Sequence, residues 1–321
     1  MEKKIAVVIP VSPFEPPEIL LKSVENVLSL DYEGLRTKIV YVVDRNSSDD
    51  RRSLILKRFC VDVLERNGTR GKRAGAINDA IKYLSEFNPD YVAIFDVDSE
   101  PDRDFIIKCV EGLERERNAY IASSRRYISN PINLVSRAVW IEYKVLNFLL
   151  KKSSFKQFNG LIGVLRYDKL LKYGLNEKAI AEDADFATRM HSLGYKAVFV
   201  WDTRIFEQAP VTWVDLFKQR KRWYYGGLQL WRYIRAVLNS GNPKFILSWI
   251  FSLTTTYMII LFLPLLIFVF PYTLYKLGFR DGIKGILSLM MYFFVLQISA
   301  LYSILRFIFK KGIEWEPLRR V

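Results

Sequence analysis

From Phe245 onward the composition of this 321-residue chain changes. Phe245 to Tyr275 is apolar except for Ser, Thr and Tyr, and Gly285 to Phe309 is apolar again. Each run exceeds the roughly 20 residues that a helix needs to cross a bilayer. Only Lys276 to Lys284 separates them. Lys244 before the first run and Lys310, Lys311, Arg319 and Arg320 after the second put the cations on one side. The pattern predicts a hairpin with both ends in the cytoplasm; two buried helices of a soluble protein are the alternative. Just upstream, Trp231-Arg232-Tyr233-Ile234-Arg235 suits a helix at the water–lipid interface. The chain therefore divides into a soluble part over 1–226, an interfacial amphipathic helix over 227–244, and a hairpin with a basic cytoplasmic tail over 245–321, its spans at about 245–275 and 285–309.

The soluble part alternates strand and helix. Ile5 to Val11 is a continuous apolar run, the mark of a strand buried on both faces. Pro13, Pro16 and Pro17 end it, and a helix is predicted over about Glu18 to Ser29. Lys38 to Val43 is a second strand ending at Asp44, and the polar loop through Asp49 caps the next helix. Val61 to Leu64 is a short third strand, followed by a basic loop, Arg66 to Arg73, and a helix from Ala74 to Phe87. Tyr91 to Phe95 is the central strand. Short connections between such units imply right-handed crossovers and a mostly parallel sheet, an α/β layer of Rossmann-like type. Beyond it, helices are predicted over Asp102–Arg117, from Ala181 to about Leu193 and over Thr212–Tyr225, and strands over Ala119–Ser124 and Tyr195–Val200. Asn130 to Leu150 mixes Trp, Tyr, Leu and Lys, as an amphipathic helix lying on a surface does.

A net charge of +14 predicts an anionic partner. With apolar runs at one end and no nucleic-acid-binding motif, membrane lipid and a phosphorylated substrate fit better than nucleic acid. Neither GxGxxG nor a Walker loop is present, which disfavours dinucleotide and P-loop chemistry. The single histidine excludes His-rich metal sites; His191 reads as a partly exposed helix residue, two turns past Asp183. Cys60 and Cys109 both read as small core residues. Few His and Cys beside many Lys, Arg and Glu match heat-adapted composition. Met1-Glu2-Lys3-Lys4 leads straight into a strand with no cleavage site, so the first domain is expected in the cytoplasm.

The central strand ends abruptly in Asp96-Val97-Asp98-Ser99-Glu100-Pro101. Ligands of open α/β sheets sit beyond the carboxyl ends of the strands. Asp96 and Asp98, two apart in an extended segment, point the same way. Their mutual repulsion is relieved by a cation between them, and oxygen ligands favour Mg²⁺ or Mn²⁺. A turn with solvated acids is the alternative.

Four clusters stand out in order: Asp44, Asp96 with Asp98, Glu182-Asp183, and Gln219-Arg220-Lys221-Arg222-Trp223. This ordered set resembles family 2 glycosyltransferases of GT-A fold, in the cellulose-synthase and hyaluronan-synthase branch that carries Gln-x-x-Arg-Trp. The resemblance covers Ile5 to Gly226, about two thirds of the chain. It implies that Asp44 contacts the nucleotide base or ribose, with Pro10, Val11 and Glu15 bordering the base. It implies further that Lys72 lies near the nucleotide, that Asp96 orients the ribose or donor sugar, and that Asp98 holds the metal with help from Asp96. By the same resemblance Glu182-Asp183 is the catalytic acid pair, with Asp183 as base, and Gln219, Arg222 and Trp223 close over diphosphate and acceptor. Asn159 and Gly160 stand where such enzymes approach the acceptor. Ala181 replaces the usual Thr before the acid pair.

The chemistry of the side chains agrees with those roles. A departing diphosphate needs charge stabilisation, which a divalent ion and a planar guanidinium provide. Trp offers a flat face to a sugar ring, and a hydroxyl acceptor needs a base. One base and one displacement imply inversion at the anomeric carbon. Blander readings exist for each residue: a helix cap for Asp183, membrane-interface anchors for Arg222 and Trp223, a turn former for Asp44, and a solvated charge for Lys72.

The expectation is a membrane-anchored, metal-dependent (Mn²⁺ or Mg²⁺) inverting glycosyltransferase. It takes a UDP- or GDP-hexose, glucose or mannose, and acts on a lipid-linked saccharide or glycolipid at the cytoplasmic face of the cell membrane. Two spans are too few to enclose a polymer channel, which argues for one or few transfers. A polyprenyl-phosphate sugar synthase, a processive synthase and a non-enzymatic nucleotide-sugar-binding module are the rivals.

Overall fold

The computed structural model describes residues 2–45, 47, 50–314 and 316. Its sheet is built from β1 (Lys3–Val11), β2 (Leu35–Arg45), β3 (Asp62–Asn67), β4 (Tyr91–Ile94), β5 (Glu100–Pro101), β6 (Ala119–Ile128), β7 (Gly163–Arg166) and β8 (Lys196–Glu207), in the order β3-β2-β1-β4-β7-β6-β8-β5. The first four strands pair in parallel, as their continuous apolar runs predict. β7 then runs antiparallel to both β4 and β6, and β5 antiparallel to β8. This reversal gives a mixed sheet and brings the ends of β4, β6 and β8 to a common edge.

Alternate residues of β1 feed two cores. Ile5, Val7, Ile9 and Val11 face α1 (Pro17–Leu28) and α4 (Phe105–Arg115), whereas Ala6 and Val8 face α3 (Lys72–Tyr83) and α6 (Tyr167–Tyr173). Apolar residues at every position of β1 are needed because both faces of the sheet are covered. The short α2 (Arg52–Leu56) follows β2, and α7 (Glu182–Ser192) precedes β8. The capping loop predicted at 46–49 lies mostly outside the described residues.

α5 (Leu134–Lys152) opens with a capping box between Asn133 and Ser136 and lies beside β6. α8 (Trp213–Gln229), capped by Thr212, carries the Gln-x-x-Arg-Trp stretch. The segment expected as one interfacial helix is instead a 3-10 turn (Leu230–Tyr233) and a short α9 (Ile234–Asn239). Leu230 and Val237 are buried, and Arg232 and Tyr233 bond Asp185 of α7.

Two segments, Pro243–Phe268 and Gly282–Ile308, are long and apolar enough to cross a membrane. The first is α10 (Pro243–Thr255) continued by a 3-10 stretch (Thr256–Leu265), with α11 (Leu266–Leu277) after it. Pro264 and Pro271 lack the donor that a regular helix needs there. The second is α12 (Phe279–Ile308), which packs against α11 and along α8. Ser303 Oγ of α12 donates to the Lys221 carbonyl at 2.8 Å. Arg319 and Arg320, used above to orient the hairpin, lie outside the described residues.

Two sequence readings are corrected. Cys60 is exposed, because it sits in the connection before β3 and not within an element, while Cys109 is buried as expected. His191 is buried, its ring packed against Tyr120, Phe155 and Phe245; a neighbour two turns from a polar site still faces the core of its helix.

Candidate active site

Parallel pairing brings the ends of β1, β2 and β4 to one edge. Pro10 and Val11 stand beside Val42 and Val43, next to Asp44. Glu15 lies in the turn that follows, its N–H donating to Ser12 O. Arg52, which sequence reasoning passed over, joins these loops: it is buried and donates to Ser12 O at 2.5 Å and Asp44 O at 2.8 Å. Asp44 is itself buried and takes a 2.6 Å bond from Arg66. Burial pushes the Asp44 carboxyl up to about 6, against the pull of Arg66.

The acids meet around a glycine. Gly160 has φ +64°, a left-handed backbone that favours glycine. Its N–H donates to Asp183 Oδ2 at 2.6 Å. A Cβ built there would lie 3.3 Å from Asp96 Oδ2 and 3.3 Å from Arg73 Nη2. Asp96 and Asp183, from two distant stretches, thus flank one backbone turn. Asp183 is the second residue of α7 and not its cap, which is Ala181. Its Oδ1 accepts from the Ala184 N–H at 2.7 Å. Ala181 packs on Gly226, where an added Cβ would come within 2.5 Å of its own. The larger Thr expected at 181 would crowd that contact between α7 and α8.

Arg73 sits in the middle of this cluster. Its Nε donates to Asp96 Oδ1 at 2.8 Å and its Nη1 to Glu182 Oε1 at 3.1 Å, while Nη2 is buried without a partner. Burial works against its charge, but Asp96 and Glu182 outweigh it and hold its proton more firmly than usual. Lys72, the cation chosen from sequence, is exposed at the start of α3. The two cations are adjacent, and only the phase of α3 decides which turns inward. Burial raises the Glu182 carboxyl, with Arg73 opposing and the Asp183 charge adding to the rise.

α8 supplies the other wall. Arg222 makes no hydrogen bond or ion pair among the described residues, yet burial lowers its proton affinity despite Glu182, Asp183 and Asp96 nearby. A half-buried, unpaired guanidinium facing carboxylates across a site is suited to an anion that is not part of the chain. Gln219 Oε1 is buried without a partner. Trp223 carries the Arg220 guanidinium 4.2 Å over its ring, and Arg220 in turn donates to Glu142 of α5 at 2.5 Å.

Two further residues escaped the sequence reading. Arg126 donates to Asn159 O at 2.9 Å and pairs with Glu207 at the end of β8. Burial raises the Glu207 carboxyl, Arg126 opposes the rise, and the Asp96 and Asp98 charges add to it. The available signal was a pair of arginines, Arg125 and Arg126, inside a strand. Among the described residues no three His, Cys, Asp or Glu side chains form a metal cage. Mg²⁺ and Mn²⁺ do not need one: one or two carboxylates plus substrate phosphates suffice, and the oxygen-only pair Asp96 and Asp98 fits that requirement.

A curled mixed sheet with an acidic cluster beyond its strand ends is the GT-A class of fold. The chain belongs to glycosyl transferase family 2: residues 7–168 match that family's model, and residues 91–305 match the related family group 2. Among known sequences it is 27% identical over 184 residues to a probable glucomannan 4-beta-mannosyltransferase 7 of Oryza sativa subsp. japonica, covering 54% of this chain and 31% of that protein. Glucomannan 4-beta-mannosyltransferase 7 of Arabidopsis thaliana is 24% identical over 260 residues, covering 76% and 46%. The chain thus spans less than half the length of these relatives. Among solved structures it resembles the mannosyltransferase PcManGT from Pyrobaculum calidifontis, in complex with GDP-Man and Mn²⁺, with TM-score 0.59, 15% identity and coverage of 96% and 88%. It also resembles residues 1–349 of S. aureus TarS, with TM-score 0.53, 12% identity and coverage of 97% and 93%. At these identities both likenesses concern the fold.

Proposed function

We propose that this chain is a membrane-anchored, divalent-metal-dependent inverting hexosyltransferase. It moves a hexose, mannose before glucose, from a GDP- or UDP-sugar to a lipid-linked saccharide or glycolipid at the cytoplasmic face of the cell membrane. It makes one or few transfers. The observation that carries the reading is the meeting of Asp183, Asp96 and Arg73 around Gly160, with Arg222 unpaired opposite them. The mannosyltransferase names of its plant relatives and the GDP-Man of one structural neighbour favour mannose.

Each residue then has a task. Asp44, with Pro10, Val11 and Glu15, borders the nucleoside, and Lys72 stands at the rim. Asp96 and Asp98 hold the divalent ion, Mn²⁺ or Mg²⁺, which when bound neutralises charge on the departing diphosphate. Arg222 and Gln219 face that diphosphate, and Arg73 keeps Asp96 and Glu182 in place. Asp183, held by two backbone N–H groups, takes the proton of the acceptor hydroxyl. Trp223, with Asn159 and Gly160, borders the acceptor. The two apolar segments anchor the chain, and no nucleic acid takes part.

The experiment is a transfer screen with the full chain in nanodiscs. Nucleotide sugars are crossed with Mn²⁺ and Mg²⁺ and with lipid-linked saccharide or bare polyprenyl phosphate. GDP-mannose with a lipid-linked saccharide is expected to give a short product. A long ladder, or transfer to bare polyprenyl phosphate alone, would overturn the acceptor assignment.

A further inference from the structure

α5 carries apolar side chains on two faces. Towards the protein Val135, Ala138 and Val139 join the core beside the buried polar groups Ser136, Tyr143 and Asn147, and Glu142 is half-buried. Towards the outside it presents Ile141, Val145 and Phe148, the last two 52% and 60% exposed. These three lie at helical spacing along about 10 Å of one ridge. Arg137, Lys144 and Lys151 line a single edge of that ridge and are exposed. Lys144 Nζ lies 3.4 Å over the Trp140 ring, and Lys151 Nζ lies 4.2 Å over the Trp201 ring. A helix turning large apolar side chains outward, with cations and aromatic rings along one border, has the make-up of one that lies in a lipid headgroup layer. α12 packs against α5, its Ser288 Oγ donating to the Leu134 carbonyl at 3.0 Å, and it too exposes apolar side chains, Phe294 and Ile298.

We infer that the outer face of α5 is a docking surface for an anionic lipid bilayer, seated beside the apolar hairpin. The inner face of the same helix holds the site. Asn147 clasps the backbone of Arg126 with two 2.9 Å bonds, Tyr143 donates to Glu207, and Glu142 holds Arg220. Arg126 in turn donates to Asn159 O. The acceptor side of the site is therefore one helix thickness, about 10 Å, from the lipid surface. A lipid-anchored acceptor reaches it without leaving the bilayer. This rests on the membrane anchoring proposed above, but its test reads position and not transfer.

The exposed Cys60 is first replaced by Ser, leaving the buried Cys109. Val145→Cys, Phe148→Cys and, as a control on the far α2, Leu54→Cys are each labelled with bimane. The full chain is placed in nanodiscs of phosphatidylcholine and phosphatidylglycerol with brominated acyl chains. Labels at 145 and 148 are expected to be quenched at least about twofold and the label at 54 unaffected. Lys144→Glu with Lys151→Glu is expected to weaken that quenching. Labels at 145 and 148 as open to aqueous iodide as the label at 54 would overturn the inference. Labels shielded from iodide yet untouched by bromolipid would also overturn it, since a second copy of the chain would then cover α5. Quenching without transfer activity would count against the proposed function alone.

Discussion

Gly160→Ala probes the site at its narrowest point. The left-handed backbone at φ +64° costs an alanine about 1 kcal/mol. The new Cβ would lie 3.3 Å from both Asp96 Oδ2 and Arg73 Nη2 and 3.4 Å from Ile162 Cγ1. Arg73 cannot yield, because Asp96 at 2.8 Å and Glu182 at 3.1 Å hold it from two sides. The loop must therefore move, and the 2.6 Å bond from the Gly160 N–H to Asp183 lengthens or breaks. A hydrogen bond to a charged group contributes about 1.5–3 kcal/mol. If the reaction uses that carboxylate in its held position, kcat falls about 10–100-fold. Stability falls by about 1 kcal/mol from the backbone term. Sugar transfer and thermal unfolding on the same nanodisc preparation give both numbers. Wild-type kcat with a lowered Tm would refute the view that Gly160 positions Asp183.

Other outcomes follow from the same geometry. Asp183→Asn should bind donor normally and lose transfer by about 10²–10⁴-fold, read by calorimetry beside a transfer assay. Asp98→Ala should abolish the dependence of donor affinity on Mn²⁺; unchanged affinity in calorimetry with and without the ion would contradict its assignment. Arg73→Met leaves Asp96 and Glu182 facing each other without their cation, so it should cost about 2 kcal/mol and raise the donor KM; Arg73→Lys should restore part of both. His191 titrates at about 4 in the fold, lowered by burial, against about 6.5 unfolded. The unfolded chain then binds the extra proton between those values, so this contribution is full above pH 6.5 and is lost as pH falls towards 4. The loss is about 3 kcal/mol, and unfolding of His191→Phe compared with wild type across that range should show it as a difference.

Much of the fold was readable because burial on two faces demands apolar residues at every position, a pattern that few other arrangements produce. The runs Ile5–Val11 and Tyr91–Phe95 announce central parallel strands in this way. The acids were readable because an acid ending such a run must sit at the sheet edge. Less readable was anything that depends on the phase of an element. Lys72 and Arg73 are chemically alike neighbours, and sequence has no means of choosing between them until α3 is docked. His191 and Cys60 went wrong for related reasons. Distance along the chain from a polar motif says little about which face of a helix a residue occupies, and an apolar neighbourhood does not make a connecting loop part of the core.

What the amino-acid order alone determined is local: which stretches are strands, which carboxylates end them, and which segments are long and apolar enough to cross a membrane. Tertiary structure decided the rest. The antiparallel insertion of β7 puts Gly160 between Asp96 and Asp183, and the small-on-small contact of Ala181 with Gly226 brings α7 against α8. It also selected Arg73, Arg126 and Glu207, whose charges gain meaning only from partners that lie far away in the chain. The physical reason is that strand and helix patterns record burial, which each residue carries in its own side chain. The strength and direction of a buried charge depend on which other charges the fold brings within a few ångströms.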